Sequence, residues 1–175
     1  TSSCCTAFVK YIKIKFPDLA DKISSSLSPM AQTGKLIKDM DPQAKVVFIG
    51  PCTAKKGEVR DPKVARYIDY VMTFEELQAM IDSKDIEVEA LPETELDSAS
   101  YFGRIFARSG GVSEAVKKAV AERNPEAESE NTEGGFEFNP IVCDGIDKCK
   151  TALSRASKNV LPNNFIEGMV CDSGC

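Results

Sequence analysis

Histidine is absent from this chain of 175 residues. That absence excludes a Ser-His-Asp triad, a Cys–His nucleophile pair and a histidine-bearing zinc helix. It also removes the commonest proton carrier near neutral pH, so any proton traffic must use thiols or carboxylates. No apolar stretch approaches the length of a membrane span, and no charged-then-apolar opening reads as a secretory leader. Basic charge is not in excess. The 22 Lys and Arg against 27 Asp and Glu leave a formal charge of −5, which argues against a nucleic-acid partner. There is no internal repeat, and the length suits one domain with a sizeable core.

What the chain does have is cysteine. Of seven, Cys4 and Cys5 open the sequence, Cys171 and Cys175 close it, and Cys52 stands between them in Gly50-Pro51-Cys52-Thr53-Ala54-Lys55-Lys56. An odd count without a secretory context disfavours a disulfide framework. It fits a reducing, cytoplasmic setting in which such thiols are ligands or reactive groups. The first residue already lies within a motif and the last is a cysteine, so the chain reads as a fragment whose localisation signals could lie elsewhere.

The hydrophobic pattern predicts an α/β fold with a mainly parallel four- to five-stranded sheet and helices on both faces. Strands are predicted at Val46–Gly50, Tyr70–Thr73, Val88–Leu91, Pro140–Asp144 and Phe165–Cys171. Helices are predicted over Thr6–Ile14, Pro29–Met40, Phe74–Ser83, Ser113–Arg123 and Ile146–Lys158. Ser28 is the predicted N-cap of the second helix, and Thr73 with Glu76 forms a capping box on the third. Gly110-Gly111 reads as the tight start of a helix, and the acidic stretch Asn124–Gly135 as a mobile surface loop. Cys52 follows a strand and Cys171 ends one, so both should emerge where α/β sheets bind ligands. Cys4 and Cys5 precede a helix, whose first N–H groups favour an anion. Three distant cysteine segments are thereby expected to meet at one soft metal centre.

The wording of those segments resembles the [FeFe]-hydrogenase large-subunit family. Ser2-Ser3-Cys4-Cys5-Thr6-Ala7-Phe8 is similar to its Thr-Ser-Cys-Cys-Pro-x-Trp segment. Gly50-Pro51-Cys52-Thr53-Ala54-Lys55 is similar to Met-Pro-Cys-x-x-Lys, and Glu167–Cys175 follows Glu-x-Met-x-Cys-x-x-Gly-Cys. The resemblance implies one lobe, residues 1–175, of a two-lobed active-site domain. It implies that Cys5, Cys52, Cys171 and Cys175 ligate a [4Fe-4S] cluster, with Cys175 bridging to a two-iron subsite carrying CO, CN⁻ and a dithiolate. Cys4 would relay protons to that subsite, with Ser24 farther along the path. Lys55 would donate to a cyanide, and Met169, Phe106 and Pro51 would line the cofactor. H₂ and protons would be the substrates, a ferredoxin-like carrier or upstream iron–sulfur domains the electron partners, and maturation proteins the source of the subsite. Gly50, Thr6, Phe8 and Ala107 depart from the family's usual methionine, proline, tryptophan and glycine, which points to a divergent, sensory branch.

Other readings stand beside this one. The cysteines could be buried free thiols or a zinc site, although only Cys171 and Cys175 have knuckle spacing. Cys143, in an apolar strand, and Cys149, on a helix, read as packing residues. Lys55 could be a solvated lysine beside Lys56, and Ser24 a helix cap. The functional alternatives are an H₂ or redox sensor with a similar cluster, and a non-hydrogenase relative that acts in iron–sulfur assembly. An isolated sample is expected to be apo or partly loaded.

Overall fold

The computed structural model describes residues 1–95, 99–123 and 138–174. They fall into two compact units, Thr1–Ser26 with Tyr101–Cys175, and Leu27–Ser100, each with its own core. Cys175 and the stretch Asn124–Gly135 lie outside the described residues. In chain order the helices are α1 (Thr6–Lys15), α2 (Pro29–Met40), α3 (Lys55–Glu58), α4 (Pro62–Ala65), α5 (Phe74–Asp82), α6 (Tyr101–Ile105), α7 (Gly111–Arg123) and α8 (Ile146–Ser157). The strands are β1 (Val47–Ile49), β2 (Tyr70–Met72), β3 (Pro140–Asp144) and β4 (Phe165–Met169).

The α/β class and the parallel pairing agree with the sequence pattern. The arrangement of the strands differs from a single sheet. Among the described residues, β1 pairs with β2 and β3 with β4, giving two separate two-stranded parallel sheets. Val88–Ala90 forms a 3-10 turn and not a strand. Val88 and Leu91 are both exposed, so this segment has no buried apolar face of the kind that stabilises a strand. Cys52 and Cys171 therefore follow strands of different sheets.

In the first unit, β3, α8 and β4 form a strand–helix–strand crossover, in register from Pro140 opposite Phe165 to Asp144 opposite Met169. The helix buries Cys149, Ala152 and Leu153 at helical spacing. Helix α1 buries Phe8 and Ile12, one turn apart, and both belong to the core formed with Ile166 and Met169. Burial of each of these side chains is worth about 1.5–3 kcal/mol. The Phe8 ring lies so close to β4 that a Cβ on Gly168 would sit 2.5 Å from its atoms. Cys143 and Cys149 are buried packing residues. The Cys149 thiol faces the Cys143 and Met169 carbonyls at 3.7 and 3.5 Å. It is held well above the usual thiol range, first by its bond with Cys143 and then by burial.

The second unit packs α2 and the β1–β2 pair around Met30, Ala31, Val46, Val64 and Ile68. Ser28 caps α2 by accepting from the Ala31 N–H. Thr73 and Glu76 form the expected reciprocal capping box on α5. Two short helices, α3 and α4, were not anticipated from the pattern. Asp61 starts α4 by accepting from the Lys63 N–H, with Pro62 in the first turn. Asp69 anchors the start of β1. Its carboxylate accepts from the Val46 N–H at 2.7 Å and from Lys38 Nζ at 2.9 Å. Those bonds push its pKa down to about 2.

Gly168→Ala destabilises the first unit by about 1–3 kcal/mol through overpacking against Phe8, read as a lower thermal midpoint. For Asp69, the folded-state pKa lies below the unfolded value, so its contribution is complete above the ordinary carboxylate pKa and is lost as pH falls through the folded one. The urea midpoint of Asp69→Asn is therefore below wild type at neutral pH, and the gap closes as pH falls from about 4 to about 2. A gap that stays constant with pH contradicts this account.

Candidate functional site

The first unit brings the opening and closing segments of the chain together. Ser2 lies along β4, donating its N–H to the Ile166 carbonyl at 2.9 Å and accepting from the Gly168 N–H through Oγ at 3.3 Å. Residues 166 apart in sequence are joined there. Cys5 occupies the N-cap position of α1, where the N–H groups of the first turn favour an anionic group. It is buried in the same cluster as Met169, with Cys4 packed against it. Burial pushes the Cys4 thiol up, with smaller upward contributions from the Glu167 and Cys5 charges, partly offset by a hydrogen bond with Ser2. Cys4 thus carries its proton at neutral pH. Cys171 lies just beyond Met169 and is exposed. Phe106 follows α6 and is half-buried.

Ser24 does not cap a helix. Its Oγ accepts from the Ser26 N–H at 3.2 Å, a local turn bond typical of serine. Its own N–H donates to the Thr1 carbonyl, and Ser3 Oγ donates to the Ser26 carbonyl. The turn is thus stitched to the segment that carries Cys4.

The second unit holds Pro51, Cys52 and Lys55. Pro51 is exposed and Cys52 half-buried on the loop after β1. The Cys52 carbonyl accepts from the Lys55 N–H, bending the loop into α3. Lys55 is no solvated lysine. Its side chain is 10% exposed and pairs at 2.7 Å with Glu58, itself 11% exposed. Ser28 Oγ donates to the other Glu58 oxygen. Lys56, by contrast, pairs with Glu76 on the surface.

Glu167, the first residue of the motif that ends in Cys175, is a fully buried carboxylate. It accepts from the main-chain N–H groups of Gly110, Val112 and Ser113. The available signal was an acid inside an otherwise apolar strand. Glu58 was missed in the same way, since nothing local distinguishes it from a surface acid.

The thiols of Cys5, Cys52 and Cys171 are free, as ligands of a soft iron centre must be. This donor set, thiol-rich and without imidazole, fits an iron–sulfur group. Within either unit, and among the described residues, no three Cys, Asp or Glu side chains form a ready-made metal cage. No helix among the described residues is long and apolar enough to cross a membrane.

The chain belongs to the family of the iron only hydrogenase large subunit, C-terminal domain, whose model matches residues 1–175. It is 30% identical to the periplasmic [Fe] hydrogenase large subunit of Nitratidesulfovibrio vulgaris, over 99% of this chain and 49% of that protein. It is 29% identical to iron hydrogenase 1 of Clostridium pasteurianum, over 99% of this chain and 36% of that one. A cytosolic Fe-S cluster assembly factor of Kluyveromyces lactis is 28% identical over 75% of this chain and 30% of its own length. The fold is that of an [FeFe]-hydrogenase from Chlamydomonas reinhardtii, with a TM-score of 0.70 at 21% identity, covering 99% of this chain and 59% of that one. The chain spans about half or less of the length of these curated relatives.

The Lys55–Glu58 pair generates a third prediction. Lys55→Met leaves the Glu58 carboxylate buried without its ammonium and costs about 3–5 kcal/mol. Lys55→Met combined with Glu58→Leu costs less than the sum of the single changes. A urea-denaturation cycle measures the coupling, and a value near zero contradicts the pairing.

Proposed function

We propose that the chain is one lobe of an H-cluster domain, and that the full-length protein interconverts H₂ with protons and electrons. The observation that carries this reading is the family match over the whole of residues 1–175. Cys5, Cys52, Cys171 and Cys175 would be the thiolates that hold a [4Fe-4S] cluster, and Cys175 would also help to hold a two-iron subsite. When bound, this group supplies reversible redox chemistry at iron.

The residues of the chain do the rest. Cys4 carries a proton at Sγ at neutral pH and is the proposed general acid and base. Ser24, in the turn stitched to the Cys4 segment, is the proposed next hydroxyl on the proton path. Lys55, clamped by Glu58, offers a fixed cationic donor suited to a bound cyanide. Met169, Phe106 and Pro51 are proposed to line the group and keep water away from it. A ferredoxin-like carrier or upstream iron–sulfur domains would exchange electrons, maturation proteins would supply the subsite, and a cytoplasmic location fits the free thiols. The likeness to an assembly factor supports a second reading, in which the protein carries the cubane alone. Gly50, where the family usually has methionine, favours a third, sensory one.

Anaerobic reconstitution of the full-length protein with iron and sulfide, then loading with a synthetic two-iron precursor, separates these readings. Infrared bands of bound CO and CN⁻ together with H₂ turnover are expected. Bands without turnover favour a sensor, and a cubane without bands favours the assembly relative. Failure to take up any cluster overturns the proposal. Cys4→Ser keeps the cluster and the bands but lowers turnover about 10²–10⁴-fold.

A further inference from the structure

Glu167 is fully buried in β4, and its partners among the described residues are main-chain N–H groups. Oε1 accepts from Gly110 and Val112 at 3.0 and 3.3 Å, and Oε2 from Ser113 at 2.8 Å. These donors form the turn into α7 and its first residues. A helix start leaves such N–H groups without intrahelical acceptors, and its dipole favours a negative charge. Both oxygens are engaged, so the carboxylate is seated by charge-assisted bonds that a neutral side chain cannot reproduce.

The same turn grips the chain again past Cys171. Asp144 Oδ1 accepts from Ser109 Oγ and from the Ser173 N–H, each at 2.6 Å. Arg108 and Gly174 form an antiparallel bridge. The approach is close enough that a Cβ on Gly174, which has φ +97°, would lie 2.1 Å from the Ala107 carbonyl oxygen. The segment carrying Cys171 is therefore held at two points against Ala107–Ser113, a stretch that contributes no cysteine. Glu167 fastens one end, and Asp144 with the Arg108 bridge fastens the other.

We infer that Glu167 is a positioning residue for Cys171: its seat on the turn into α7 sets the direction in which β4 delivers the thiol. This rests on the reading of Cys171 as a cluster ligand. The inner clasp is the stiffer of the two, because it is buried and made of three bonds, whereas the outer one lies near the surface. Loss of the inner clasp leaves α7's first N–H groups without their acceptor and lets the segment through Gly174 shift as a unit.

The test is Glu167→Gln in the full-length protein, read in two ways. In the apo protein, hydrogen exchange at Gly110, Val112 and Ser113 is expected to speed up about tenfold. Ser173 and Gly174 should follow, while the β1–β2 ladder at Phe48 and Val71 stays at the wild-type rate. After reconstitution, the reduced cluster is expected to show an altered electron paramagnetic resonance spectrum and to lose iron to a chelator several-fold faster. Loosening confined to Gly110–Ser113, with Ser173, Gly174 and the spectrum as in wild type, would overturn the inference, because Glu167 would then serve α7 alone. If wild type takes up no cluster, the functional reading fails, and exchange at Ser173 and Gly174 alone decides whether the clasp acts. If Glu167→Gln does not fold, Glu167→Asp, which keeps the charge but shortens its reach to the N–H groups of Gly110, Val112 and Ser113, carries the test by the same exchange, spectrum and iron release, with wild-type behaviour at Ser173, Gly174 and the cluster again overturning it.

Discussion

The seam between Ser2 and β4 is the interaction on which the first unit depends. Closing a loop between the two ends of a chain is entropically costly, although the cost grows only slowly with length. Two hydrogen bonds at Ser2 and the contact of Phe8 with Gly168 offset it. Because the bonds lie beside β4, the opening segment behaves almost as an added strand, and α1 is led directly onto the sheet. Cys4 and Cys5 then share a core cluster with Met169. A hydrogen-bonded seam of this kind is directional, so it sets register as well as proximity.

The two units bury carboxylates in different ways. In the second, Glu58 faces a cation, and Ser28 occupies its other oxygen. In the first, Glu167 faces only main-chain N–H groups among the described residues. A buried ion pair gains Coulomb energy but must remove two charges from water. A carboxylate at a helix start removes one, and the backbone groups it binds would otherwise be unsatisfied. Both arrangements hold a motif segment rigidly, Lys55 in one case and the approach to Cys171 in the other. For the proposed cluster, such placement would orient the residues that surround it.

Much of the local structure was legible in the residues. Val-Phe-Ile, Tyr-Val-Met and Pro-Ile-Val-Cys-Asp are apolar runs bounded by turn residues, and each is a strand. Ser28 before Pro29, and Thr73 three residues before Glu76, announced their helices because capping is a short-range interaction. Val88–Leu91 misled because a short apolar run says nothing about whether another surface covers it. The split into two sheets was invisible for a related reason, since a strand's partner is chosen by long-range packing. The short helices α3 and α4 carry too few residues for any periodicity to register.

The candidate site divides along the same line. The supply of thiols, the absence of imidazole, the motif spacing and the place of each cysteine beside a strand or helix were all present in the sequence, because they depend only on residue identity and neighbours. Whether Lys55 was solvated or clamped, what Glu167 bonds to, and how Ser2 meets Gly168 were decided by tertiary structure alone. Those are contacts between residues far apart in the chain, and their free energy exists only once desolvation and packing have brought the partners together.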